Sequence, residues 1–186
     1  MLNIISSRTQ KQTLFLLIAL VIAICSLPLS ASAYVTTGNN AFTIDGHTGI
    51  YTIDFTFGHQ NHDVSIPLYA VRSPYQSDAM ISYELLNKED DSCKNSDFQC
   101  SLSIGNAIAI VLSDTQIRDE MYFIPKGTRA SFTLLVVFES PRALGTLSSY
   151  LHVTHLPFLF DGKQKLRLNP SELQYYMTSA VKHLSQ

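Results

Sequence analysis

Hydrophobic and polar residues alternate along much of this chain, most regularly between Arg129 and Glu139, where Ala130, Phe132, Leu134, Val136 and Phe138 take every second position. Side chains of an extended chain leave alternate faces, so these five line one side of a strand. The other side carries Ser131 and Thr133 and then Leu135 and Val137. That combination predicts a strand inside a sheet, one face in a core and the other partly covered. Ordinary core packing on both faces, the aromatic tail around Tyr175 and Tyr176, or a partner surface is expected to cover Leu135 and Val137.

The same period recurs upstream. In Gly49–Phe57, Tyr51, Ile53, Phe55 and Phe57 alternate with Thr52, Asp54 and Thr56, which predicts a half-buried strand. Ala41–Ile44 reads as a short strand closed by Asp45-Gly46, a dipeptide suited to hairpin turns. Val64–Arg72 is extended, with Pro67 pointing to an edge or a bulge because it lacks a backbone donor. Met80–Leu86 and Glu120–Ile124 are further strands. Ala107–Leu112 is a continuous apolar run suited to a buried strand. Ser148–Leu156 is expected to pair with the central strand as its next antiparallel neighbour, since the connection is short. Near the end, Asn169-Pro170-Ser171-Glu172 combines an N-cap, a proline at the first helical position and an acid at the third, which predicts a helix start.

Eight or so short strands without an internal repeat predict an all-β fold: one antiparallel β-sandwich, Ig-like or Greek key, over residues 41–186, with a short C-terminal helix. A β-barrel is the alternative. Ten Phe and nine Tyr with no Trp agree with β structure.

Residues 1–33 read as an address rather than structure. A polar start with Arg8 and Lys11 precedes an uncharged run, Leu14 to Leu27, then Pro28 and the small residues of Ala31-Ser32-Ala33. This is the layout of a secretory signal, with cleavage expected between Ala33 and Tyr34 and residues 34–40 left as a mobile lead-in. The competing expectation is a membrane anchor through residues 14–27, but that run is shorter than the roughly 20 residues a span requires. Without residues 1–33 the chain holds 11 basic and 15 acidic residues, a net charge of −4 with His neutral. That balance excludes the basic field used to bind nucleic acid and a polybasic membrane patch.

Export changes how the cysteines read. Cys25 leaves with the signal, and Cys93 and Cys100 form an even pair expected to be a disulfide in an oxidising compartment. In the chain-entropy account, closing so short a loop stabilises by about 2–3 kcal/mol.

Candidate chemistry is sparse. His59, His62 and Asp63 group two imidazoles and a carboxylate in one loop, part of a zinc or copper site if a third ligand joins them. Asp90, Asp91, Asn95 and Asp97 offer oxygen ligands for calcium, without the spacing of a dedicated calcium loop. His152 and His155 lie three apart on an expected strand, so they should leave opposite faces. No nucleophile elbow, zinc-protease helix or phosphate-cradling loop occurs. No cofactor is therefore implied. The expected function is an exported, non-catalytic binding or assembly module of a cell surface, envelope or extracellular space, with a protein or surface as partner. The alternative is a small secreted hydrolase, possibly metal-dependent, built on the His59/His62/Asp63 loop.

Overall fold

The computed structural model of the protein describes residues 33–35, 38–58, 61–73, 77–87, 102, 105–140 and 147–183. The fold is all-β and built from antiparallel sheets that do not close into a barrel. The described strands form three sheets.

The first sheet is built on the two longest strands, β3 (Thr48–Gly58) and β10 (Arg129–Glu139). They pair antiparallel along their full length, from Arg129 opposite Gly58 to Glu139 opposite Thr48. The free side of β10 takes β7 (Asn106–Ser113), and that of β3 takes two short strands in succession, β1 (Ala33–Val35) and β2 (Asn40–Thr43). Alternation along β10 falls as its sequence requires: Ala130, Phe132, Leu134, Val136 and Phe138 are all buried. Across the strand pair they meet Phe57, Phe55, Ile53, Tyr51 and Gly49. Phe55 and Phe132 stack at 5.2 Å, and Phe57 meets Phe132 edge-on at 6.3 Å.

The second sheet contains β5 (Ala70–Arg72), β6 (Ile81–Asn87), β11 (Leu147–His155) and β14 (Val181–His183), in the order β14-β11-β6-β5. Among the described strands only β5 and β6 run parallel. Its inward residues include Ile81, Tyr83, Leu85, Leu151 and Val153, all buried. The third sheet, in the order β13-β12-β4-β9-β8, comprises β4 (Val64–Pro67), β8 (Gln116–Arg118), β9 (Met121–Ile124), β12 (Pro157–Phe160) and β13 (Gln164–Arg167). Its inward side chains join the same core, with Phe158 edge-on to Phe57 at 5.6 Å and Tyr122 to Phe132 at 5.6 Å.

Four expectations change. β11 does not flank the central strand: β10 already has β3 and β7 on its two edges, and β11 pairs with β6 and β14 instead. Val64–Arg72 is two strands in different sheets. Pro67 closes β4 opposite Met121 of β9, a terminal position where its missing donor costs nothing to a ladder. Among the described residues β7 stands at the edge of its sheet rather than inside it, and of its residues only Val111 is buried. Finally, Tyr175 and Tyr176 do not cover Leu135 and Val137. Tyr176 is fully buried on the opposite, core side, 5.9 Å from Phe55, and Tyr175 is exposed.

The C-terminal helix α1 (Pro170–Leu173) starts where its signals place it. Asn169 Oδ1 accepts from Ser171 N–H at 3.2 Å, and Glu172 Oε2 accepts from Asn169 N–H at 3.0 Å. One turn later the chain leaves the helix, and β14 rather than further helix ends the described residues. Residues 34–40, read as a lead-in, place Tyr34 opposite Thr56 and Val35 opposite Phe55 in β1.

Candidate functional site

Three places combine side chains that chemistry or recognition could use. The first grows out of the pairing of β4 with β12. Val64 sits opposite Phe160, which brings the residues just beyond, Asp63 and Asp161, side by side, and Asp161 N–H donates to the Asp63 carbonyl at 2.9 Å. Asp161, Gly162 and Lys163 connect β12 to β13: Lys163 N–H donates to the Phe160 carbonyl at 3.0 Å, and Asp161 and Gly162 are left-handed, with φ of 50° and 64°. This turn carries the Asp161 carboxylate to His62, whose Nδ1 lies 2.7 Å from Oδ2. A carboxylate only accepts, so Nδ1 holds the proton, and the His62 side chain is partly exposed. The imidazole rests on Phe160 at 4.5 Å between ring centres.

Beside this pair the outer surface of the third sheet is hollowed to ≈ 330 Å³. Leu159, Ser65 and Phe123 stand in one transverse row and form its floor. Asp63, Asp119 and Asp161 supply carboxylates at its rim, and Arg118 lays its guanidinium over the Phe123 ring at 3.9 Å. Such a hollow offers acceptors and one cation to a small polar ligand. It does not assemble a metal site: among the described residues no three His, Cys, Asp or Glu side chains converge. Of the trio read from sequence, His62 turns to Asp161, while Asp63 Oδ1 accepts from Lys126 N–H at 2.9 Å. His59 lies outside the described residues, as do Cys93, Cys100, Asp90, Asp91, Asn95 and Asp97. Asp161 was missed in sequence, although its Asp-Gly dipeptide is the same turn signal noted at Asp45-Gly46.

A second cluster is buried between the two main sheets. Tyr51 Oη, Ser149 Oγ and His183 Nε2 form a triangle with sides of 2.6, 2.8 and 3.0 Å. His183 Nδ1–H donates to the His47 carbonyl at 3.0 Å, so Nε2 must accept from one hydroxyl. Gly49 makes room for this group: a Cβ there would stand 2.7 Å from Tyr51 Oη and 2.8 Å from His183 Cε1. All three members of the triangle are fully buried. Burial is the main cause that pushes the His183 pKa down, with the neighbouring His47 adding to it; the hydrogen bond to the His47 backbone and the charge of Asp45 act the other way. A serine and an imidazole at this distance resemble part of a nucleophilic relay, but no substrate can reach them. The triangle is a clasp between sheets.

The third place is the outer face of the first sheet. Register sets Phe42, Ile50, Val137 and Ile108 in one row across β2, β3, β10 and β7. The next row is Asn40, Thr52, Leu135 and Ile110, and the one after that Asp54, Thr133 and Leu112, where Thr133 Oγ1–H donates to Asp54 Oδ1 at 2.5 Å. Exposure is greatest at the two edges of the face, with Phe42 52% exposed on β2 and Ile108 72%, Ile110 45% and Leu112 47% on β7. Sequence reasoning located Leu135 and Val137 on this face and missed the β7 residues, because their run reads as buried on both sides. Comparison with known protein families, characterised proteins and solved structures finds no match to this chain.

Proposed function

We propose that the chain is exported, that its leader is removed between Ala33 and Tyr34, and that the β-sandwich then works without catalysis as a binding or assembly module at a cell surface, in an envelope or outside the cell. Ala33 and Tyr34 are consecutive in β1, opposite Phe57 and Thr56, so cleavage on this reading precedes the docking of β1. A Cys93–Cys100 bridge belongs to the same reading. The observation that carries it is the apolar outer face of the first sheet, with Phe42, Ile108, Ile110 and Leu112 between 45% and 72% exposed. A face of this kind on a folded chain is more often a contact surface than bare surface.

The test is photo-crosslinking in the exporting cell, with a benzophenone side chain in place of Ile108 and, as control, of Tyr175, which is also well exposed but lies elsewhere in the chain. Crosslinked product from position 108 and none from position 175 is expected. No product from position 108 would overturn the reading.

The alternative, a small secreted hydrolase, draws support from one observation. His62 and Asp161 at 2.7 Å make an oriented imidazole beside a hollow that holds Ser65. A screen of ester, amide and glycoside substrates, with zinc supplied, decides it: turnover lost in His62→Ala would favour the enzyme, and no turnover by the wild type would dismiss it.

A further inference from the structure

The hollow on the outer surface of the third sheet carries charge of both signs that does not cancel within the chain. Register fixes its layout. Asp63 and Asp161 stand side by side at one end, the row of Leu159, Ser65 and Phe123 follows two residues along, and Arg118 faces Met121 one row further. Arg118 reaches back over this floor. Its guanidinium lies 3.9 Å from the centre of the Phe123 ring, and one of its nitrogens donates to Gln116 Oε1 at 3.0 Å. Among the described residues it forms no ion pair with Asp63, Asp161 or Asp119, the third carboxylate of the rim.

Both ends are held in place and still have hydrogen-bonding capacity. One oxygen of Asp63 accepts from Lys126 N–H at 2.9 Å and one of Asp161 from His62 Nδ1–H at 2.7 Å, and each carboxylate has a second oxygen that can accept. A guanidinium has five N–H donors, and Gln116 takes one of them. Strands about 4.8 Å apart and steps of roughly 3.4 Å per residue put the Asp63 backbone about 8 Å from that of Phe123, the ring under the guanidinium. An extended residue spans about 3.5 Å, so this gap is one to two residues long. A cation alone would be repelled by Arg118, and an anion alone by the carboxylates. A molecule with both signs is attracted at both ends, and the apolar floor between them takes a hydrocarbon side chain.

We propose that this hollow binds a small zwitterion, a free amino acid or a short peptide with both termini free, its ammonium between Asp63 and Asp161, its carboxylate on Arg118 and its apolar side chain over Leu159 and Phe123. The volume of ≈ 330 Å³ is near the lower limit of small-molecule sites, about 300 Å³, which suits a ligand of this size and not a longer chain. The site lies on a different sheet from the apolar contact face, so the two readings stand or fall separately.

The experiment is isothermal titration calorimetry on the full chain with free leucine and with the dipeptide alanyl-leucine, each also with its amino group acetylated and with its carboxylate amidated. One or both of the uncapped probes should bind saturably, and the tighter of the two separates the amino acid from the peptide. Either cap should weaken binding about tenfold, the loss of one contact between charged groups. Arg118→Gln should shrink the loss on amidation, and Asp161→Asn the loss on acetylation. Both side chains are exposed, and asparagine tolerates the left-handed backbone at position 161, so both variants should fold. No saturable binding of either probe into the millimolar range, capped probes that bind as tightly as free ones, or variants that leave the effect of the caps unchanged would each overturn the site. Cleavage of alanyl-leucine during the titration would support the recognition and overturn the non-catalytic reading instead.

Discussion

Tyr51 Oη lies 3.0 Å from Nε2 of His183, and the two residues belong to different sheets. Together with Ser149 they tie the C-terminal strand β14 to β3. The hydrogens of the triangle are consistent only when His183 is neutral. Its Nδ1 proton goes to the His47 carbonyl, and two hydroxyl protons then serve two of the three sides. A further proton on Nε2 would leave one buried hydroxyl without an acceptor.

Stability should therefore fall in mild acid. Burial pushes the His183 pKa down, and also that of His155, where Arg167 lowers it further and Asp78 opposes. In the unfolded chain both titrate near 6.5. As pH drops below that value the unfolded state takes up protons that the folded state refuses, so folding loses at most about 1.4 kcal/mol per pH unit for each site. Thermal unfolding from pH 8 to 5 should show a midpoint flat above about pH 7 and falling below it. His183→Gln, which keeps a polar group in the clasp but does not titrate, should flatten the slope. A wild-type midpoint independent of pH would contradict the protonation argument.

Gly49→Ala should destabilise by about 1–3 kcal/mol, because the added methyl meets Tyr51 and His183 under 3 Å and both are pinned by the clasp. Tyr51→Phe should cost less, about 1 kcal/mol, since Ser149 and His183 keep their own 2.8 Å bond. Urea unfolding of the two variants measures the order. Equal losses would mean that Gly49 is not held by this contact.

The β8–β9 hairpin turns through Asp119 and Glu120, with φ of 50° and 59°. Both are left-handed, as the turn type requires, but side chains there cost roughly 1–2 kcal/mol per residue. Glu120→Gly relieves one of them against the greater backbone freedom of glycine when unfolded. A net gain of about 0.5–1 kcal/mol in urea unfolding is expected. A loss would show that Glu120 has a stabilising role beyond the turn.

Tyr176 is fully buried, and its hydroxyl has no hydrogen-bond partner among the described residues. Burial, with Glu172 nearby, pushes its pKa well above that of an ordinary phenol. Tyr176→Phe keeps the ring against Phe55 and removes the unsatisfied oxygen, so it should raise stability by about 1 kcal/mol. A decrease in the urea midpoint would reveal a partner for the oxygen.

Local pattern was readable where one physical rule dominates. Period two placed β3 and β10 to within a residue, since half-buried strands must alternate, and the cap residues at Asn169 and Glu172 marked a helix one turn long. Sheet partnership was not readable. A short connection after β10 suggested a neighbour in the same sheet, whereas β10 had both edges filled by β3 and β7. β12 and β13 went unnoticed because Pro157 and the charged Lys163–Arg167 segment obscure their alternation, and with them went Asp161, the partner of His62. The clasp could not have been foreseen, since Tyr51, Ser149 and His183 are far apart in sequence and join only when two sheets face each other. β7 misled for a different reason: its continuous apolar pattern suits a strand paired on both edges, whereas among the described residues it pairs with β10 alone.

The most direct test of the proposed contact face is photo-crosslinking in the exporting cell from position 108, with Leu112→Lys measured alongside. Crosslinked product should form in the wild-type background and be lost in Leu112→Lys, which sets a charge on the same exposed face at a side chain outside the core. No product from position 108, or product unchanged by Leu112→Lys, would contradict the account.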